Sequence, residues 1–222
     1  MPNPEEWSRC FTRLQRLTGQ LIDSQQQLRL QRYVELLLKW NRTYNLIGPS
    51  TVSSILDRHI IDCAPLLPLL PAGSRIADIG SGAGLPGLVL AILSPPPSQI
   101  SLIESVGKKT RFLSHVTHQL ELDKNCVVYT QRAEQHAKQK INKYHFVVSR
   151  AVGTVSLLAK LSVDLLQPGG YCLALKGERS EHEVFEFLST PQHLFFEKPE
   201  IIPIDDIPGA TVVRIKKVPR ET

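Results

Sequence analysis

A glycine-rich segment at residues 78–87 constrains the fold of this chain more than any other feature of its sequence. The segment reads Asp-Ile-Gly-Ser-Gly-Ala-Gly-Leu-Pro-Gly and begins at the end of the mostly apolar run Arg75–Ile79. Glycine permits positive φ and leaves room for a ligand to approach the main chain. Pro86 suits the first turn of a helix, where its missing N–H is not needed. The segment therefore predicts a strand, a tight turn and a helix, with a ligand beyond the carboxyl end of the strand.

From Arg75 onward, short apolar runs alternate with segments of helical character. The predicted strands are Arg75–Ile79, Ile100–Ile103, Asn125–Thr130, His145–Ser149 and Tyr171–Leu175. The predicted helices between them are Gly87–Leu93, Lys108–Leu120, Ala133–Lys140 and Val155–Leu166. Such alternation is typical of βαβ units, so we expect an α/β fold whose parallel sheet carries helices on both faces.

The end of the chain follows a different pattern. The runs Glu200–Ile204 and Thr211–Lys217 are separated by Asp-Asp-Ile-Pro-Gly and one further residue, which is too short for a crossover helix. They predict an antiparallel hairpin at or near the edge of the sheet. A mostly parallel sheet that ends in such a hairpin is the layout of the Rossmann-like methyltransferases.

Residues 1–72 predict a helical extension that precedes the sheet domain at residues 73–222. Ser24 and Gln27 fit a capping box, and the apolar residues that follow recur at helical spacing. A second helix is predicted over Val52–Cys63. Prolines then punctuate the passage to the sheet domain; they are Pro65, Pro68 and Pro71.

Length and composition favour a cytoplasmic protein. With 222 residues, 42% of them apolar, the chain suits one α/β domain with a modest extension. No stretch reaches the roughly 18 to 20 apolar residues that a membrane span needs. Residues 1–12 are charged and lack an apolar run, so they do not predict a secretory signal.

The four cysteines are far apart and show no C-x-x-C spacing, which favours free, buried thiols and no metal site. The formal net charge of +5 suits an anionic partner such as RNA. The alternative is that the basic residues form solvated faces. Their three clusters are Lys108, Lys109 and Arg111; Lys138, Lys140 and Lys143; and Arg214, Lys216, Lys217 and Arg220.

Two nucleotide cofactors fit the glycine-rich segment. Residues 82–87 match the Gly-x-Gly-x-x-Gly dinucleotide fingerprint, and Glu104, at the end of the second strand, is placed to hold a ribose in either case. However, Asp78 lies where a carboxylate faces a cationic amino-acid group and repels a pyrophosphate. We therefore predict S-adenosylmethionine, with a dinucleotide as the alternative. The residues predicted to bind it are Asp78, Gly80, Gly82, Gly84 and Glu104.

Seven short motifs appear in order along the chain. They are Trp40–Leu46, Arg58–Asp62, Asp78–Gly87, Glu104–Leu113, Arg132–Glu134, Ser149–Ala151 and Leu175–Gly177. Together they resemble the glucose-inhibited division protein B (RsmG) family of bacterial small-subunit rRNA guanine-N7 methyltransferases. The resemblance covers nearly the whole chain from about residue 25. It implies a Rossmann-like, S-adenosylmethionine-dependent methyltransferase fold whose helical extension faces RNA.

The resemblance also implies roles for particular residues. The implied cofactor residues are Gly80, Leu85, Ala133, Glu134 and Arg150, with Leu85 packed on the cofactor and Ala133–Glu134 near its adenine. Arg150 borders the gap between cofactor and substrate; its alternative role is that of an ion-paired structural arginine. The implied RNA contacts are Asn45, Arg58 and His59, which would hold the guanine edge or a phosphate. Lys176, at the end of the fifth predicted strand, is a further predicted phosphate contact. The alternatives are a capping or packing role for His59 and a solvated loop position for Lys176.

The implied target is the guanosine numbered 527 in the 530 loop of 16S rRNA, within the small subunit or its precursor. Guanine N7 carries a lone pair and no proton, so its methylation needs no general base, and no acid–base catalyst is predicted. The residues after the fourth strand, 149–152, lack the Asn/Asp-Pro-Pro-aromatic motif of exocyclic-amine methyltransferases. Two alternatives stay open: a methyltransferase acting on another RNA, a protein or a small molecule, and a non-catalytic RNA-binding protein.

Overall fold

The computed structural model describes residues 1–141 and 143–219, so Arg220 of the last basic cluster lies outside the described residues. The strands are β1 (Arg75–Ile79), β2 (Gln99–Glu104), β3 (Cys126–Thr130), β4 (Tyr144–Arg150), β5 (Leu166–Lys176), β6 (Glu200–Pro203) and β7 (Thr211–Lys216). They form one sheet in the order β3-β2-β1-β4-β5-β7-β6. β1 to β5 are parallel, and β7 pairs antiparallel with both β5 and β6. The predicted parallel sheet with a terminal hairpin is confirmed.

The helices lie in two layers. The α-helices are α1 (Pro4–Thr18), α2 (Ser24–Tyr44), α3 (Gly87–Leu93), α4 (Gly107–Gln119), α5 (Ala133–Gln139), α6 (Val155–Ser162) and α7 (Ser180–Leu188). One buried cluster contains residues of α1, α2, α3 and α4, which pack on one face of the sheet. A second cluster contains residues of α5, α6 and α7, which pack on the other face. The alternation of side chains along the strands produces both, since Ile76 enters the first cluster and Ala77 the second.

The helical extension shares its core with the sheet domain. Buried residues of α1 and α2 belong to the same apolar cluster as α3 and β1. Tyr33 of α2 is fully buried, and its hydroxyl donates to the carbonyl of Ala83, 2.8 Å away, in the glycine-rich segment. Consequently, α2 supports the loop beyond β1 directly.

Several predicted boundaries differ from the structure. The capping box at the start of α2 is formed by Asp23 and Gln26, not Ser24 and Gln27, because the helix already begins at Ser24. β5 begins at Leu166 rather than Tyr171, since Leu166 already pairs with Tyr144 of β4. Accordingly, α6 ends at Ser162.

The helix predicted over Val52–Cys63 is not an α-helix. The chain forms a π-helix at Leu56–Ile60 and then a 3-10 helix at Ile61–Leu69, while shorter 3-10 turns occupy Pro49–Thr51 and Pro191–Phe195. Pro65 and Pro68 lie inside the 3-10 helix instead of ending it. Each proline removes one backbone donor from the continuous i→i−4 bonding that an α-helix needs.

The four cysteines are buried and free, as predicted: Cys10, Cys63, Cys126 and Cys172. Within the described residues, no helix combines the length and the apolar character that crossing a membrane requires.

Candidate functional site

The three glycines after β1 serve different purposes. All three have positive φ, but a Cβ at Gly80 would lie 2.6 Å from a methyl of Val152, and one at Gly84 would lie 2.6 Å from Cγ of Leu88. A Cβ at Gly82 would meet only the Gly80 carbonyl, at 3.7 Å. Of the three positions, Gly82 therefore leaves the most open space beside its backbone. Pro86 immediately precedes α3 instead of lying in its first turn.

Asp78 is completely buried beneath this loop. Its Oδ2 accepts the Gly87 N–H at 3.0 Å, which fixes the start of α3. Its Oδ1 has no hydrogen-bond partner within the described part of the chain. Burial raises the pKa of the carboxyl to about 7, against the lowering effects of Ser81, Gly87 and Arg150. A cationic group placed nearby would stabilise the ionised form.

This raised pKa predicts a pH-dependent stability. The folded protein binds the Asp78 proton more tightly than the unfolded chain does, so this contribution to stability is fully present below pH 3.8. It is lost as the pH rises towards about 7. Because Asp78→Asn cannot ionise, its free energy of unfolding should rise relative to wild type by about 4 kcal/mol between these pH values. Urea denaturation across this range measures the difference, and a constant difference would contradict the prediction.

Glu104 ties the glycine loop to the end of β2. Its Oε2 accepts the Gly82 N–H at 3.0 Å and its Oε1 accepts the Val106 N–H at 2.9 Å. Each carboxylate oxygen keeps a further lone pair that a ligand hydroxyl can use. On the neighbouring strand end, α5 begins with buried Ala133 and exposed Glu134. The predicted cofactor residues that belong to or follow β1, β2 and β3 thus lie together at the carboxyl ends of these parallel strands.

Leu85, another predicted cofactor residue, is 4% exposed and belongs to the apolar cluster that contains α2 and α3. Much of its surface therefore contacts the protein core.

Arg150 joins the end of β4 to the helical extension. Its Nη1 donates to the Arg58 carbonyl at 2.5 Å, and its Nη2 donates to Nδ1 of His59 at 2.9 Å. Because a guanidinium only donates, Nδ1 accepts and the His59 Nε2–H donates to the Thr51 hydroxyl at 2.9 Å. Both partners of the Arg150 side chain are neutral, and among the residues that the structure describes its guanidinium forms no ion pair.

His59 is buried and neutral near pH 7. Burial, together with the positive charges of Arg150 and Arg58, lowers its pKa to about 4. Both ring nitrogens already have partners. The geometry agrees with the packing role considered for this histidine, in which it holds Arg150 in place.

A cavity of about 650 Å³ opens beside Arg150 at the carboxyl ends of β4 and β5. Its walls include Arg58, His59 and Asp62, together with residues of the loop at 204–210 that joins β6 to β7. Lys176 lies in this wall, but its ammonium contacts Glu183 at 2.8 Å and the Gly153 carbonyl at 2.6 Å. A larger groove of about 850 Å³ between α1 and α2 lies away from the strand ends.

The structure does not bring every predicted RNA residue to this cavity. Arg58 and His59 line it. Asn45 does not; it ends α2 in the left-handed conformation, at φ 49°, with an exposed side chain. Sequence reasoning gave no role to Tyr33, Thr51 or Val152, although Tyr33 falls on the predicted apolar face of its helix.

Comparison with known proteins now identifies the family. The family model for GidB, rRNA small subunit methyltransferase G, matches residues 26–201. The chain belongs to this family. A relative named ribosomal RNA small subunit methyltransferase G from Thermobifida fusca is 41% identical over 192 residues, covering 83% of this chain and 78% of the relative. One from Halorhodospira halophila is 42% identical over 158 residues, covering 71% and 73%.

Solved structures support the fold. A putative rRNA-methylase from Clostridium thermocellum superposes with a TM-score of 0.53 at 15% identity, covering 68% of this chain and 90% of that one. Aeropyrum pernix fibrillarin, in complex with S-adenosyl-L-methionine, gives 0.51 at 14% identity and covers 65% and 66%. The predicted Rossmann-like methyltransferase fold and the family resemblance are therefore confirmed.

Proposed function

We propose that this chain transfers a methyl group from S-adenosylmethionine to N7 of the guanosine numbered 527 in the 530 loop of 16S rRNA, within the small subunit or its precursor. Family membership supports the rRNA acceptor. The observation that carries the proposal is the position of Arg150 at the carboxyl end of β4. This side chain lines the cavity and donates hydrogen bonds to Arg58 and His59 of the helical extension.

The residues at the ends of β1 to β3 fit S-adenosylmethionine. The unpartnered oxygen of Asp78 favours the ammonium group, and the lone pairs of Glu104 suit the ribose hydroxyls. The open backbone at Gly82 permits close approach. The full proposed set is Asp78, Gly80, Gly82, Gly84, Leu85, Glu104, Ala133, Glu134 and Arg150. When bound, the cofactor supplies a methyl group on a positively charged sulfur.

The reaction requires alignment more than proton transfer. Guanine N7 attacks with its own lone pair, so no general base is needed, which agrees with the neutral, fully bonded His59. Fixing the orientation of two reactants contributes up to about 7 to 11 kcal/mol. Two hydrogen bonds hold the Arg150 side chain in place between the strand ends proposed to bind the cofactor and the cavity.

The helical extension, residues 1–72, is the proposed RNA-facing part. Arg58 and Asn45 both have exposed side chains, and arginine suits contact with phosphate. Lys176 instead stabilises the cavity wall through Glu183.

Labelled S-adenosylmethionine tests the function directly. Small subunits from a strain that lacks this gene should acquire 7-methylguanosine at the proposed position, whereas subunits from the parent strain, already methylated, should not. Label on an adenine or on protein would support another acceptor. RNA binding without any label would support a non-catalytic protein.

Gly82→Ala tests the cofactor site. The new methyl group should enter the space proposed for the ligand and weaken S-adenosylmethionine binding about tenfold or more, or 1.4 kcal/mol. Positive φ should also lower stability by about 1 kcal/mol. Gly169→Ala is the matched control, because Gly169 also has positive φ and its Cβ would meet nothing within 4 Å. Calorimetric titration should show weaker binding in Gly82→Ala alone; equal affinities would place the cofactor elsewhere.

A further inference from the structure

Asp62 presents a carboxylate without a partner to the cavity beside Arg150. It follows the π-helix Leu56–Ile60 and lines the cavity together with Arg58 and His59. Across residues 1–141 and 143–219 its carboxylate accepts no hydrogen bond and forms no ion pair. π-turns within helices occur often at functional sites.

The electrostatic surroundings of Asp62 leave it ready to accept hydrogen bonds. Its side chain is half-buried, and this burial raises the pKa of the carboxyl, while Arg150 and Arg58 lower it. Arg150 directs its own donors to the Arg58 carbonyl and to His59 instead. Since an ionised carboxylate only accepts hydrogen bonds, both Asp62 oxygens can receive donors from a ligand in the cavity.

The other carboxylates around the cavity are less suitable. Oε2 of Glu183 already contacts Lys176 and accepts the Val155 N–H. Glu178 is exposed at the rim. Asp62 is therefore the cavity carboxylate that combines partial burial with free acceptor capacity.

Guanine has the complementary donors. For N7 to face a methyl donor, the base must be held by another edge, and its Watson–Crick edge carries N1–H beside the N2 amino group. Two adjacent donors match the two oxygens of one carboxylate. Adenine presents an acceptor at N1, which a carboxylate repels. RNA enzymes commonly read this edge of an unstacked base.

We propose that Asp62 selects the acceptor base by accepting hydrogen bonds from N1–H and N2–H of guanine. This role rests on the proposed N7 methylation. The cavity volume of about 650 Å³ falls within the roughly 300 to 1,000 Å³ typical of small-ligand pockets.

The test combines Asp62→Asn with a change in the base. Small subunits are reconstituted with guanosine or inosine at the target position, because inosine keeps N1–H and lacks the N2 amino group. On guanosine, Asp62→Asn should lower kcat/KM about 10- to 100-fold, since its amide N–H₂ opposes a guanine donor. On inosine the loss should be clearly smaller, so the two changes are coupled.

Asp57→Asn is the matched control. Asp57 carries an exposed carboxylate on the π-helix that precedes Asp62, and it lines the groove near α1 instead of this cavity. Its variant should methylate guanosine at the wild-type rate. Calorimetry should show unchanged S-adenosylmethionine affinity in both variants.

Three results would overturn the proposal: wild-type activity in Asp62→Asn, an equal loss on guanosine and inosine, or equal wild-type rates on both bases. An equal loss on the two bases would mean that Asp62 supports the site without reading the base. The comparison of bases in the wild-type enzyme stands even if the variant does not fold. Failure of the proposed function itself is distinct, because wild-type enzyme would then form no 7-methylguanosine.

Discussion

Gly87→Ala is expected to lower the free energy of unfolding by about 3 kcal/mol. The added methyl group would lie 2.5 Å from Oδ2 of Asp78 and would also collide with Leu102. Both side chains are fully buried, so neither can move into solvent. Pushing the Asp78 carboxylate away from residue 87 would also break its hydrogen bond with the backbone N–H there, which would leave a buried donor and a buried acceptor unsatisfied. Urea denaturation of the purified variant measures the effect.

Gly107→Ala is its matched control. Gly107 begins α4 just as Gly87 begins α3, but its Cβ would meet nothing within 4 Å. Alanine there should be neutral or stabilise the protein by up to about 1 kcal/mol. If both variants unfolded at the same urea concentration, the close packing of α3 against β1 and β2 would be refuted.

Arg150→Ala is expected to lower the rate of methyl transfer about 100-fold. The substitution removes the only side chain shown to bond the end of β4 to Arg58 and His59 within the described residues. A displacement of about 1 Å in an aligned site can cost this much in rate. Single-turnover methylation of small subunits measures the loss.

Arg75→Ala controls for the loss of an arginine. Arg75 lies at the opposite end of the sheet, where it donates to the Lys143 carbonyl at 2.6 Å and to Gln167 at 3.2 Å. Its variant should lose a similar amount of stability and keep its methyl-transfer rate. Equal rates in the two variants would show that the position of Arg150 does not matter for the reaction.

The sheet was predictable from the sequence because its strands are short apolar runs whose residues face two packed layers. The hairpin was predictable because the segment between β6 and β7 is too short for a helix. The apolar pattern of the sequence predicted the first and last residues of strands and helices less well. The first half of β5 contains Gln167, Gly169 and Gly170, which are not apolar. The sequence pattern therefore did not predict that this strand begins at Leu166.

The site was predictable only in part. The sequence placed Asp78 and Glu104 at strand ends, but their bonds to backbone N–H groups depend on how the loop folds. The contact between Arg150 and His59 joins residues far apart in sequence, as does that between Tyr33 and Ala83. No local spacing encodes such pairs. Likewise, the glycine pattern cannot tell a position closed by Val152 from one open to a ligand.

The buried cysteines make this protein convenient for site-specific labelling. Burial raises the pKa of Cys10, Cys63 and Cys172 to about 12 and raises that of Cys126 as well, so almost no thiolate exists near neutral pH. A cysteine introduced at Leu28, which is 65% exposed, would therefore react with a maleimide dye far faster than the native thiols. Fluorescence from this dye then tests the proposed docking of the helical extension onto ribosomal subunits without removing any native cysteine.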